Sequence, residues 1–97
     1  MGSLDKIMHT LENEKEGIRT AYHVRKVGVF GSVARGEEKK RSDVDVLVEF
    51  TDAASLFDLV GLSDFLAKKL GRKVEVVSKR AMKPDILRNA LKDAVFA

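Results

Sequence analysis

The sequence predicts one small α/β domain: a mixed sheet of three or four strands flanked by helices, in the order α-β-α-β-α-β-α. Three observations carry this expectation. Apolar residues recur at helical spacing near both ends and in the third quarter of the chain, Asp43 to Phe50 alternates polar and apolar, and Gly and Pro fall at the boundaries between these patterns.

The first helix is expected over about residues 4–21. There Leu4, Ile7, Met8, Leu11, Ile18 and Tyr22 form one stripe, with Glu12, Glu14, Lys15 and Glu16 between them and Gly17 a weak point. Val24 to Phe30 reads as a β-strand stopped by Gly31-Ser32, and Val33-Ala34-Arg35-Gly36 as the start of a short helix. Asp43 to Phe50 is the second strand, and Thr51-Asp52 offers a turn and a helix cap. Leu56, Leu59, Val60, Phe65, Leu66 and Leu70 line the next helix, which Gly71 closes. Val74 to Val77 is a third strand. Pro84 suits a first helical turn, and Ile86, Leu87, Ala90, Leu91, Ala94 and Val95 are expected to form the buried face of the last helix. The short link between the first two strands argues for antiparallel neighbours. The strand-helix-strand that follows argues for a right-handed parallel crossover.

A chain of 97 residues has room for one core, so an acceptor platform must come from elsewhere. The absence of cysteine excludes disulfides, zinc–thiolate sites and thiol catalysis, and is compatible with a reducing cytoplasm. No apolar run approaches the ~20 residues of a membrane span, and the N-terminus lacks a signal-peptide core; Met1-Gly2-Ser3 need not be native. The expectation is therefore a cytoplasmic protein with no membrane partner. A net charge of +3 is too mild for a strong nucleic-acid grip, and direct nucleic-acid binding is not expected. Nothing in the pattern decides whether the chain forms a homo-oligomer.

Chemistry concentrates in two places. Asp43 and Asp45 are alternate strand residues, so their carboxylates share a face ~6–7 Å apart, with Val44, Val46 and Val48 turned the other way. Nothing adjacent in sequence neutralises the pair. Divalent cations would, and paired carboxylates bridging two Mg²⁺ ions suit phosphoryl or nucleotidyl transfer. Gly31-Ser32, directly after a strand, lets backbone approach a ligand and offers N–H groups and a hydroxyl to an anion. An antiparallel strand pair would bring this bend and the two acids together.

The combined pattern, Gly31-Ser32-Val33-Ala34-Arg35-Gly36, five residues, then Ser42-Asp43-Val44-Asp45, resembles the DNA polymerase β-type nucleotidyltransferase superfamily, and within it the minimal nucleotidyltransferases. The resemblance runs from about residue 25 to the end, and Val74-Glu75-Val76-Val77 with Arg88 and Asp93-Ala94-Val95-Phe96 looks like that family's closing segment. It implies that Gly31 and Ser32 hold the NTP phosphates, that Asp43 and Asp45 bind Mg²⁺, and that Glu75 supplies the third carboxylate as metal ligand or general base. Asp is commoner there, and Glu is one methylene longer. Arg35 is a candidate for the triphosphate, or else for an ion pair with Glu38. Lys39, Lys40 and Arg41 would attract NTP or an acidic partner, or simply be solvated, and Ser42 would make a turn near Asp43. Arg88 pairs with Asp85 or serves the site. His9 and His23 read as surface or packing residues, and Met8 and Met82 as core filler.

Three functions are compatible with this reading. Minimal nucleotidyltransferases are typically paired with a small all-helical HEPN toxin, which the resemblance makes the expected acceptor of AMP from ATP, this chain being the antitoxin. The alternatives are a non-catalytic module that neutralises its partner by contact, and transfer onto a small molecule. The last usually requires an extra domain that 97 residues cannot supply.

Overall fold

The computed structural model describes residues 3–37 and 43–97. The basic run Lys39-Lys40-Arg41, Ser42 and the Glu38 partner suggested for Arg35 lie outside the described residues. Helix α1 spans Ser3–Tyr22 without a break at Gly17, and strand β1 spans Val24–Phe30. A single helical turn, α2 (Gly31–Ala34), leads towards β2 (Val44–Phe50). Helix α3 (Leu56–Leu70) and strand β3 (Val74–Ser78) follow, then a 3-10 turn at Lys79–Ala81, helix α4 (Pro84–Asp93) and a two-residue strand β4 (Val95–Phe96).

The sheet has the order β3-β2-β1-β4. β1 pairs antiparallel with β2, and β2 pairs parallel with β3 through the α3 crossover, as the loop lengths require. One face is covered by α1 and α3. Val44, Val46 and Val48 are fully buried there against Leu11, Ile18, Leu62 and Leu66. The other face presents Lys26, Gly28 and Phe30 of β1 opposite Glu49, Leu47 and Asp45 of β2. A β-carbon on Gly28 would come within 2.7 Å of the Phe96 ring, so glycine is what lets β4 lie against β1.

Several local expectations need correction. The cap of α3 is Ser55 rather than Thr51 or Asp52: the Asp58 carboxylate accepts the Ser55 N–H at 2.8 Å, while Thr51 serves the preceding turn. Gly71 closes the helix in the left-handed region, as expected (φ 63°). Leu56 and Val60 do not reach the core; they are 72% and 54% exposed, with Phe57 at 88% beside them. Helix α4 starts at Pro84 as anticipated, but of its apolar stripe only Ala90 is buried, and Ile86 and Leu91 remain 51% and 41% exposed. Val95 is not helical. The chain turns extended at Ala94 so that Val95 and Phe96 pair with the open edge of β1, which satisfies backbone groups that would otherwise face solvent. Met8 packs against the core, whereas Met82 lines a hollow beside Gly31. His23 sits at positive φ (56°) between α1 and β1, its carbonyl accepting the Thr51 N–H and its Nδ1 lying 3.2 Å from Asp58 Oδ2; it is thus a turn residue. No helix among the described residues is long and apolar enough to cross a membrane.

Candidate active site

The site lies where β1 ends and β2 begins. Antiparallel register places Phe30 opposite Asp45, so the next residue, Gly31, arrives against the Asp45 side chain. Gly31 has φ 75°, and a β-carbon there would run into the Asp45 carboxylate, within 3.2 Å of its Cγ. Glycine is therefore required twice over, by its backbone angle and by the acid beside it. The bend is held by the Gly31 carbonyl accepting the Arg35 N–H at 3.1 Å and the Ser32 carbonyl accepting the Glu37 N–H at 2.9 Å. The first N–H groups of such a turn have no partner within it and face outward.

On the other flank of Asp45, parallel register sets Glu75 directly across on β3. Sequence alone could assign Glu75 to this position only by resemblance; here the crossover brings it in from thirty residues away. The Asp45 carboxyl is held above the ordinary carboxylate range, first by burial and then by the charges of Glu75 and Asp43, with Arg35 pulling the other way. Asp43, just before β2, is half-buried, and Lys73 Nζ comes to 3.9 Å from its Oδ2. This cation is not legible beside Asp43 in sequence, where the two lie thirty residues apart. The contact is weak, because the Lys73 side chain is 83% exposed.

Arg35 has two ion-pair partners that the sequence does not suggest. Its Nε donates to Glu37 Oε2 at 2.8 Å and its Nη1 to Asp93 Oδ2 at 3.3 Å, and both bonds raise its pKa. The Asp93 bond ties the bend to the end of α4, a link with no signal in the local sequence. Arg88 is exposed and does not pair with Asp85 among the described residues.

The donor set fits a divalent cation shared with phosphate. Among the described residues no three acidic, histidine or cysteine side chains close into a cage of their own. Mg²⁺ is commonly held by one or two carboxylates together with substrate phosphates rather than by such a cage. A desolvated acid repelled by two others, facing a glycine bend, meets that requirement.

Sheet order, crossover and an acid pressed against a glycine-serine bend define a small nucleotidyltransferase core. Residues 11–97 match the model of the nucleotidyltransferase domain, and the chain belongs to that family. It is 38% identical over 96 residues to the protein adenylyltransferase MntA of Thermococcus cleftensis, covering 99% of this chain and 97% of that protein. A solved structure described as a candidate minimal nucleotidyltransferase superposes with a TM-score of 0.77 at 34% identity, covering 98% of this chain and 95% of the other. The complex of a tri-AMPylated Shewanella oneidensis HEPN toxin with its MNT antitoxin contains a chain with a TM-score of 0.65 over 93% of this one and 70% of its own length. At 17% identity, that likeness speaks for the fold alone.

Proposed function

We propose that this nucleotidyltransferase moves AMP from ATP onto a side-chain hydroxyl of a small all-helical HEPN protein in the cytoplasm, and so acts as its antitoxin. The observation that carries the reading is the direct apposition of Asp45 and the Gly31 backbone, a carboxylate against a glycine-serine bend, which suits a metal ion shared with phosphate. The relationship to a protein adenylyltransferase over nearly the whole chain supports the AMP donor, and the fold shared with an antitoxin bound to a HEPN toxin supports the partner.

In this reading the Gly31 and Ser32 N–H groups and the Ser32 hydroxyl hold the β- and γ-phosphates. Asp43, Asp45 and Glu75 would hold Mg²⁺, which when bound neutralises charge on the phosphates and on the leaving pyrophosphate. Glu75, the exposed member of the three, takes the proton from the acceptor hydroxyl as its oxygen bonds to the α-phosphorus and the bond to pyrophosphate breaks. Arg35, anchored by Glu37 and Asp93 beside the bend, contributes positive charge towards the triphosphate.

Contact-only neutralisation is the second reading, and Leu56, Phe57 and Val60 favour it. A cluster of large apolar side chains left in solvent at the start of α3 is the mark of a protein-binding surface, with or without chemistry. Mixing the chain with its helical partner, ATP and Mg²⁺ separates the two: the partner gains the mass of AMP in the catalytic case. Asp43→Asn or Asp45→Asn reduces this transfer by ~10³-fold or more, since several kcal/mol of charge stabilisation is lost. A complex that forms without a mass change leaves the contact-only reading standing, and full transfer by either variant removes the acids from the mechanism.

A further inference from the structure

We propose that the hollow between Gly31 and α4 is a purine-base subsite in which Asn89 selects adenine, an assignment that rests on the nucleotide reading of the Gly31–Ser32 bend. The hollow has a volume of about 240 Å³ and begins at Gly31 itself. Pockets that enclose a whole ligand run to roughly 300–1,000 Å³, so this one has room for a base while the triphosphate stays outside on the bend. Phe30, Met82 and Ile86 give it apolar walls. Ile86 is 51% exposed, an apolar surface that folding leaves uncovered and that the flat face of a base would cover.

Its polar groups are unequal. Arg35 and Asp93 are spent on each other at 3.3 Å, and Arg35 also on Glu37. The remaining polar lining residue, Asn89, makes no side-chain hydrogen bond among the described residues. A carboxamide presents an N–H donor beside a carbonyl acceptor. Adenine answers with an amino donor at N6 beside an acceptor at N7, whereas guanine presents two acceptors, O6 and N7, on that edge.

Calorimetric titration of the full chain with ATP, GTP and inorganic tripolyphosphate, each with Mg²⁺, tests the assignment. The wild type is expected to bind ATP at least ~10-fold more tightly than GTP, the discrimination usual for one bidentate amide. Asn89→Ala brings the two within about twofold and leaves tripolyphosphate binding unchanged, while Asn89→Asp, an acceptor only, keeps a partner for the N6 amino group but opposes N7 and so weakens ATP binding without favouring GTP. Retention of the ATP preference by Asn89→Ala, or loss of tripolyphosphate binding in parallel with ATP, overturns the role of Asn89. Equal wild-type affinity for ATP, GTP and tripolyphosphate overturns the base subsite but not the phosphate bend. Failure of the wild type to bind either ATP or tripolyphosphate overturns the nucleotide reading as well.

Discussion

The two faces of the sheet have opposite characters. Towards α1 and α3, Val44, Val46 and Val48 have no solvent exposure, and the helices above them contribute Leu11, Ile18, Leu62 and Leu66 on the same terms. One position along in β2, the other face carries Asp45 opposite Phe30 and Glu75, under an α4 that buries only Ala90 of its apolar stripe. The first face is a close-packed core in which each methylene counts. The second accepts a desolvated acid, two neighbouring charges and half-exposed Ile86 and Leu91, arrangements that add nothing to stability. The domain thus keeps most of its buried apolar side chains on one side of a single sheet and its candidate site on the other, where Leu47 is the large side chain that is fully buried.

Substitutions should respect that division, and each can break it. Leu62→Ala, in the packed layer, is expected to cost roughly 3 kcal/mol by cavity formation and to lower the melting temperature by more than about 10 °C, while the folded fraction keeps its ATP affinity. A small thermal shift in a scanning-calorimetry trace would mean that the core is not on that face. Gly31→Ala stands at the border between the two. The new β-carbon meets the Asp45 carboxylate at a left-handed backbone angle, so about 2 kcal/mol of stability should go together with nucleotide binding. Retained ATP binding in that variant would detach the bend from the phosphates.

The smallest expected effect has the opposite sign. Asp45→Asn, expected to cripple transfer, should raise the melting temperature by about 2–4 °C in metal-free buffer, on the order of 0.5 kcal/mol after allowance for solvent screening. The sign follows from linkage. The Asp45 carboxyl is raised above its ordinary value, so the folded state binds its proton more tightly than the unfolded chain does. The stability tied to that proton is fully present below the unfolded pKa and is lost as pH rises through the folded one. The wild type should therefore gain relative to Asp45→Asn on acidification, and the two melting curves should converge. Parallel curves across that range would show that the acids do not strain the fold.

Elements with a local periodicity are legible in the amino-acid order. Val24 to Phe30 and the alternation of β2 predict both strands, and the Pro84 start and Gly71 stop predict helix ends, because these signals depend on a few neighbouring residues. The apolar stripe of α4 misleads, since periodicity reports what a helix could bury but not what is there to bury it. Lys73 beside Asp43, Arg35 tied to Asp93, and Asn89 near Gly31 are illegible for a related reason. Each partner lies far along the chain, and no repeating pattern records such a pairing.

By itself, then, the amino-acid order determined the element types apart from the closing strand β4, most of their limits, and the presence of a glycine-serine bend and an Asp-x-Asp pair in one chain. Only the tertiary structure decided that Gly31 touches Asp45, that Glu75 stands across from it, and that α4 leaves a hollow beside the bend. The reason is physical: hydrogen bonding and side-chain alternation act over a few residues, whereas strand register and helix docking are settled by packing across the whole sheet.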